Sequence, residues 1–429
     1  MRLRKCQKEN RRRAAARSGA VRRFGLRSPS VYNQSMHRPH RSAAVPPPTL
    51  IATTDALEAF CDRIAAESFV TVDTEFMRER TYWPELCVVQ LAGDHEVGVI
   101  DAQAADLDLT RLGELLANAA VLKVFHAARQ DIEIFVLRFG AVPTPLFDTQ
   151  IAAMVAGFGD QVGYEALVAG LTGGAIDKAH RFSDWSARPL SAAQIAYAAA
   201  DVTHLRDVYR KLRARLEEDG RLEWVTEEMA ALTDPALYRA DPETAWERLR
   251  PRSGNRRFLG RVQALAAWRE REAQRVNIPR QRLMKDEALT EIAATVPTDA
   301  ESLARIRSIT RGFAEGPMGE AVLEALASTI ALPDSALPPP PPPRDPLRAS
   351  PALVALLKVL LAAKCEYHHV APRLVASADD LERLAVDDDP TVPALHGWRR
   401  EVFGEDALAL KQGRIALAAE RRQVKLIRV

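Results

Sequence analysis

The chain contains the segment Val70-Thr71-Val72-Asp73-Thr74-Glu75-Phe76, in which a run of β-branched residues leads into two carboxylates. Side chains two residues apart in a strand point to the same face, so Asp73 and Glu75 are expected side by side at a strand end. Like charges this close repel each other unless a cation lies between them. The pair is therefore either a solvated acidic strand end or half of a metal site.

Length and composition indicate a multidomain cytoplasmic protein. The 429 residues suggest roughly two to four domains, and a hydrophobic content of 47% is sufficient for their cores. No apolar run reaches the ~18 residues of a membrane span, so no membrane partner is expected. The cysteines match no disulfide or zinc spacing, which is typical of a reducing compartment. They are Cys6, Cys61, Cys87 and Cys365.

The first 42 residues are strongly basic, with thirteen arginines and lysines and a single acid, Glu9. A basic arm on an acidic body can contact nucleic acid. The segment lacks apolar periodicity, so an unstructured extension is the simpler interpretation. A start codon assigned upstream of the true one, at Met36, is a further alternative.

Strand and helix signals alternate between residues 50 and 232, which is typical of an α/β layer domain. Asp55 is expected to cap a first helix, and Gly93-Asp94 to form a hairpin turn. Asp148 is expected to cap a later helix, with metal ligation as the alternative. The expected sheet has five strands, which are Phe69–Glu75, Leu86–Ala92, Glu96–Asp101, Val121–Phe125 and a short strand ending at Asp148.

After Thr233 helical patterns predominate, and the basic C-terminal end is expected to be a final helix or strand edge. Pro338–Pro343 predicts a polyproline spacer of ~19 Å, at ~3.1 Å per residue, between two helical blocks. The arginines from Arg248 to Arg261 form either a nucleic-acid-binding face or a solvated loop. The predicted organisation is a basic extension over 1–48, an α/β domain over 49–232, a helical domain over 233–333, a Pro-rich linker over 334–350 and a second helical domain over 351–429.

Three further side chains can complete a site with the strand carboxylates. Asp131 follows the strand Val121–Phe125 by six residues, so it is expected at the carboxyl edge of the sheet, where open α/β sheets bind ligands. Tyr197 and Asp201 are four residues apart in a strongly helical segment, which places them on one helix face. Four carboxylates and a phenol suit phosphodiester hydrolysis with two divalent ions, because this reaction uses hard oxygen ligands and a positioned water.

Three segments resemble the exonuclease motifs of the DEDD superfamily of 3′→5′ exonucleases: Val72-Asp73-Thr74-Glu75-Phe76, His126-Ala-Ala-Arg-Gln-Asp131 and Tyr197-Ala-Ala-Ala-Asp201. The tyrosine four residues before the last aspartate is typical of the tyrosine-type members. Other segments resemble the ribonuclease D family in particular, namely Arg80-Thr-Tyr-Trp-Pro-Glu-Leu86, Asp148-Thr-Gln-Ile151 and Asp184-Trp-Ser-Ala-Arg-Pro-Leu190.

The helical blocks resemble the HRDC domains of that family. The segments that carry this resemblance are Asn277-Ile-Pro-Arg280, Lys285-Asp-Glu-Ala-Leu289 and Trp398-Arg-Arg-Glu-Val-Phe-Gly404. The resemblance implies an α/β ribonuclease H-like exonuclease domain, with a mixed five-stranded sheet flanked by helices, followed by two small all-α HRDC-like domains.

The resemblance also implies a set of site residues. Two Mg²⁺ or Mn²⁺ ions would be bound by Asp73, Glu75, Asp131 and Asp201, and Tyr197 would position the nucleophilic water. Candidate substrate contacts are Phe76, Gln90, His126, Arg129, Trp185 and Arg188. Several have a simpler structural alternative: Phe76 and Trp185 as core, Arg129 as a solvated helix residue, and Arg188 in a salt bridge with Asp184.

The function implied is a monomeric, cytoplasmic 3′→5′ exoribonuclease that trims tRNA precursors and other small structured RNAs to 5′-mononucleotides. Two alternatives are compatible with the same residues. One is a 3′→5′ DNA exonuclease, and the other is an RNA-binding module without turnover.

Overall fold

The computed structural model describes residues 47–177, 179–251, 253–340, 349–388 and 390–429. Residues 1–46 of the predicted basic extension and residues 341–348 of the predicted Pro-rich linker lie outside these ranges. Within them, no helix is both long enough and apolar enough to cross a membrane.

A mixed six-stranded sheet is the centre of the N-terminal half, with strand order β1-β4-β3-β2-β5-β6. The strands are β1 (Thr49–Ile51), β2 (Phe69–Met77), β3 (Glu85–Ala92), β4 (Val97–Asp101), β5 (Leu122–Phe125) and β6 (Leu146–Asp148). Strands β2, β3 and β4 pair antiparallel, and the remaining pairings are parallel. The predicted hairpin at Gly93-Asp94 is confirmed, whereas β1 was not predicted because three residues are too few to show an alternation.

Helices flank this sheet. They are α1 (Thr54–Ile64), α2 (Thr110–Ala117), α3 (Arg129–Phe139), α4 (Thr149–Val155), α5 (Tyr164–Thr172), α6 (Ala192–Glu218) and α7 (Leu222–Ala230). The prediction that Asp55 caps α1 is wrong, because the Thr53 hydroxyl accepts the hydrogen bond from the Ala56 N–H. Asp55 lies instead in the first turn, where the helix dipole favours a carboxylate.

The side chains of β2 alternate between two environments. Val70 and Val72 are fully buried in the main hydrophobic core. Thr71 points to the opposite face, where its hydroxyl donates a 2.7 Å hydrogen bond to the Val202 carbonyl of α6. The period of two therefore directs Asp73 towards the face that α6 covers.

The C-terminal half is largely helical and has two hydrophobic cores of its own. The first block contains α8 (Arg256–Val276), α9 (Arg280–Leu283), α10 (Asp286–Thr295), α11 (Ala300–Ala304), α12 (Arg311–Ala314) and α13 (Pro317–Ser328). The second contains α14 (Pro351–His368), α15 (Pro372–Val375), α16 (Ala378–Val386), α17 (Gly397–Arg399), a π-helical turn (Arg400–Gly404) and α18 (Glu405–Lys411). This block ends in a hairpin of β7 (Ile415–Glu420) and β8 (Gln423–Arg428), in agreement with the predicted strand edge.

Arginines at the start of α8 interact with the protein itself. Arg256 donates to the carbonyls of Leu337, at 2.6 Å, and Pro338, at 3.2 Å, so the proline run begins docked against α8. Arg261 donates to the Ala293 carbonyl at 2.7 Å. The cationic face available to a nucleic acid is therefore smaller than the sequence indicates.

Candidate active site

The two carboxylates of β2 lie beyond the end of a neighbouring strand. β5 pairs with β2 only from Phe69 to Thr71 and ends at Phe125, where the chain turns towards α3. Asp73 and Glu75 therefore lie at an open edge of the sheet. One carboxylate oxygen from each of Asp73, Glu75 and Asp201 lies within 4.8 Å of the other two. This is the one such group of metal-ligand side chains in the described ranges.

Asp131 approaches this cluster from the first turn of α3, although its carboxylate is outside the group of oxygens that lie within 4.8 Å of one another. Its carboxylate accepts a 2.5 Å hydrogen bond from the hydroxyl of Thr74, the residue between the two strand carboxylates. Both side chains are buried. Asp131 also acts electrostatically on Asp73 and Glu75, so the four carboxylates form one interacting set.

The remaining members of the set come from α6. Ser191 caps this 27-residue helix in a capping box with Gln194, so the helix begins at a defined point before Tyr197. Ala198 and Val202 pack against the sheet. The same docking directs Tyr197 and Asp201 towards the acidic cluster, where a side-chain hydrogen bond from Tyr197 lowers the pKa of Asp201 against the effect of burial.

Burial raises the pKa of every carboxyl group in the set, and repulsion from the other carboxylates adds to this effect at Asp73 and Glu75. Burial raises the pKa of Glu75 to about 8, and the charges on Asp201 and Asp131 add to the effect. Burial raises the pKa of Asp131 and of Asp201 to about 7. The pKa of Asp73 lies well above its usual range for the same reasons. Such a set of carboxylate oxygens fits divalent cations, whose charge offsets the repulsion.

Asp148 holds the turn that leads into α3. Its side chain accepts from the Gln150 N–H at 2.8 Å, which confirms the predicted helix cap. It also accepts from the N–H groups of Ala127, at 3.0 Å, and Ala128, at 2.9 Å. Ala127 has a φ of 59°, a conformation that non-glycine residues adopt at a cost. These bonds assign Asp148 to backbone support rather than metal ligation.

The six predicted substrate contacts divide by exposure. Arg129 is exposed at the start of α3, and the side chains of Phe76 and His126 are partly exposed. Gln90 is 0% exposed opposite Asp73, and its amide atoms have no hydrogen-bond partner among the described residues. Trp185 is 2% exposed, with its ring 6.0 Å from that of Tyr197. Gln90 and Trp185 thus pack beneath the site in this structure, in line with the core alternative for Trp185.

Arg188 forms a salt bridge with Asp101 and not with Asp184, the partner that the sequence suggested. Its guanidinium binds Asp101 at 2.6 Å and the Cys87 carbonyl at 3.0 Å, whereas Asp184 accepts hydrogen bonds from Ser186. The predicted pairing with Asp184 is therefore wrong. Arg188 anchors the segment before α6 to β4.

Two supporting residues were not found from the sequence. The sequence gives no signal for Thr74, because a threonine inside a strand has an ordinary β-propensity and no distinctive chemistry. Tyr164 donates a hydrogen bond to the Asp201 carbonyl, and its ring centroid lies 5.2 Å from that of His126. Its contacts link residues far apart in the sequence, so no local pattern indicates them.

Comparison with known proteins identifies the family. A family model described as 3′-5′ exonuclease matches residues 48–217, and the HRDC domain model matches residues 258–326. Ribonuclease D of Granulibacter bethesdensis is 66% identical over 393 residues, which cover 91% of this chain and 99% of that protein. The chain belongs to the ribonuclease D family. Ribonuclease D of Acidiphilium cryptum is likewise 66% identical, over 90% of this chain and 98% of its own length.

A solved structure of the ribonuclease D family agrees with this assignment. Escherichia coli RNase D, an exoribonuclease involved in structured RNA processing, matches with a TM-score of 0.74 and 29% identity, covering 85% of this chain and 98% of its own. The predicted fold class is thus confirmed. As a member of this family, the chain is a 3′→5′ exoribonuclease, and a DNA exonuclease or a binding module without turnover is not favoured.

Proposed function

We propose that this ribonuclease D hydrolyses the terminal phosphodiester of RNA with two divalent cations, Mg²⁺ or Mn²⁺, held by Asp73, Glu75, Asp131 and Asp201. The observation that carries the proposal is the cluster in which oxygens of three of these carboxylates lie within 4.8 Å of one another. Asp131 interacts electrostatically with two of them. Bound cations would supply the charge that activates the attacking water and stabilises the leaving 3′ oxygen.

The residues of the chain would divide the remaining work. Tyr197 would orient the attacking water through its hydroxyl. Burial and the charges on Asp201 and Glu75 raise its pKa, so the phenol keeps its proton at neutral pH and serves as an orienting group rather than a base. Thr74 would hold Asp131 in its ligating position through the hydrogen bond described above.

The exposed and partly exposed side chains near these ligands are proposed to contact the substrate. Arg129 lies two residues before Asp131 and has the charge to bind a phosphate. Phe76 follows Glu75 and offers a ring to the terminal nucleotide. His126 lies at the start of the turn between β5 and α3. The other three predicted contacts would support the site from below. Gln90 would hold β3 in place, and Trp185 and Arg188 would hold the segment before α6.

The substrates proposed are tRNA precursors and other small structured RNAs, handled by a monomer in the cytoplasm. The E. coli relative acts in structured RNA processing, which supports this substrate class. We further propose an exonuclease domain over 49–232, an HRDC domain over 233–333, a linker over 334–350 and a second HRDC-like domain over 351–429. The separate hydrophobic cores of the two helical blocks support these divisions.

A trimming assay tests the proposal. Purified protein with Mg²⁺ or Mn²⁺ is incubated with a 3′-extended tRNA, with and without EDTA, beside the variant Asp73→Ala. Stepwise release of 5′-mononucleotides that both EDTA and the substitution abolish is the expected result. A tRNA left intact, under conditions in which a known 3′→5′ exonuclease trims it, would overturn the proposal.

A further inference from the structure

Two segments that resemble the ribonuclease D family, and that have no part in the chemistry above, contact each other. One is the loop after β2 that contains Tyr82 and Trp83, and the other is the end of α8 at Asn277. The Asn277 side-chain oxygen accepts hydrogen bonds from the backbone N–H groups of Tyr82, at 3.1 Å, and Trp83, at 3.0 Å. Asn277 has a φ of 53°, a left-handed conformation that asparagine tolerates well.

A buried carboxylate forms the second half of this contact. Glu270 of α8 is 1% exposed and accepts a hydrogen bond from the Tyr82 hydroxyl and another, at 3.0 Å, from Arg280. The Tyr82 hydroxyl in turn accepts from the Gln274 side chain at 3.2 Å. Glu270 therefore receives hydrogen bonds both from the loop, through Tyr82, and from its own helical block, through Arg280. Without such partners the burial of its carboxylate would be costly.

The loop that makes these contacts begins at the end of β2, the strand that carries Asp73 and Glu75. β2 ends at Met77, two residues after Glu75. The next residue, Arg78, forms a bidentate salt bridge with Glu133 of α3. Its two terminal guanidinium nitrogens lie 2.8 and 2.7 Å from the two carboxylate oxygens. α3 is also the helix of Asp131. One short loop thus connects the elements of the acidic cluster to α8.

We propose that Tyr82, Asn277 and Glu270 form a latch that holds the first helical block at the carboxylate end of β2, so that the block can bind the RNA strand behind its 3′ nucleotide. The three are positioning residues, because none touches the reacting atoms. The inference rests on the proposed function, since it assumes that RNA enters at this cluster. It predicts a defect in RNA binding with an intact chemical step.

Two substrates separate these effects. If the latch acts as proposed, a 3′-extended tRNA needs the helical block in place, whereas the p-nitrophenyl ester of thymidine monophosphate needs only the acidic cluster. Asn277→Gly removes the acceptor and keeps the left-handed conformation, and Tyr82→Phe removes only the hydroxyl. Each is expected to raise the KM for the tRNA about fivefold to thirtyfold, the effect of ~1–2 kcal/mol for lost hydrogen bonds, with kcat on the ester within about twofold of the wild type.

Asn277→Asp is the matched control, because its carboxylate still accepts from both N–H groups, and it should retain the wild-type KM. An unchanged KM in Asn277→Gly and Tyr82→Phe would overturn the latch. So would a parallel loss of ester hydrolysis, whether from misfolding or from a displaced β2. Failure of the proposed function is distinguishable, because the wild type would then cleave neither substrate.

Discussion

The hydroxyl of Thr74 donates a 2.5 Å hydrogen bond to the carboxylate of Asp131. The bond joins β2 to α3, so the residue between two proposed ligands holds a third. Hydrogen bonds to the charged form of a carboxyl group favour that form, and this one lowers the pKa of Asp131 against the larger effect of burial.

Removal of this bond should weaken metal binding. In Thr74→Val the charged form of Asp131 loses its donor, so we expect the Mg²⁺ concentration for half-maximal activity to rise about tenfold, from the loss of ~1.5 kcal/mol. Mg²⁺ titration of RNA trimming measures the effect. Thr74→Ser keeps the hydroxyl and should resemble the wild type. Equal Mg²⁺ requirements in all three proteins would exclude this role.

Asp201→Asn should lower turnover strongly and preserve RNA binding. The substitution removes one carboxylate charge from the cluster, and a loss of kcat on the order of 10³-fold is expected for a displaced metal ligand. Trimming rates and a gel-shift titration with a 3′-extended tRNA measure the two effects. Glu218→Gln, an exposed acid at the far end of the same helix, is the control. Trimming by Asp201→Asn at a near wild-type rate would contradict the assignment.

Tyr197→Phe should lower kcat more than it raises KM. Loss of a group that positions the attacking water is expected to cost about 10²-fold in rate. Steady-state kinetics on the same RNA separate the two parameters. Tyr209→Phe, which removes a hydroxyl that accepts from Arg213 on the same helix, should leave kcat nearly unchanged. A similar decline in both variants would indicate a packing defect instead.

Metal-free protein should lose stability as the pH rises from about 4 to about 8. The native state retains protons on Glu75, with a pKa of about 8, and on Asp131 and Asp201, each with a pKa of about 7. In the unfolded state these groups titrate near pH ~4. The native state therefore binds more protons across this window, so the free energy of unfolding decreases with pH.

Mg²⁺ offsets the repulsion, so the difference in Tm between Mg²⁺ and EDTA should be larger at pH 8 than at pH 5.5. Thermal unfolding monitored by circular dichroism checks this. The pH dependence should be smaller in Asp201→Asn, which has one acid fewer. A Tm difference that does not change with pH would contradict the interpretation.

Asp148→Ala should destabilise the exonuclease sheet by about 2–4 kcal/mol, because the backbone N–H groups of Ala127, Ala128 and Gln150 all lose their acceptor. Urea unfolding measures the change. Asp160→Ala, an exposed position in a neighbouring loop, should stay within about 0.5 kcal/mol of the wild type. Equal stability of the two variants would show that the turn before α3 does not depend on Asp148.

Much of the fold and the core of the site can be predicted from sequence because their signals are local. The spacing of Asp73 and Glu75 follows the period of a strand, and that of Tyr197 and Asp201 follows the period of a helix. The packing state of the flanking residues is less predictable. Trp185 lies in the core, and Arg188 pairs with Asp101 at a separation of 87 residues.

The sequence by itself indicated the candidate site, because residue type and short-range spacing identify which carboxylate oxygens can lie together at one edge of the sheet. Tertiary structure decided which groups support those oxygens. Asn277 contacts Tyr82 across 195 residues, and Tyr164 contacts the Asp201 carbonyl across 37. Such contacts arise when distant elements pack together, and neither partner carries a periodicity or motif that indicates the other.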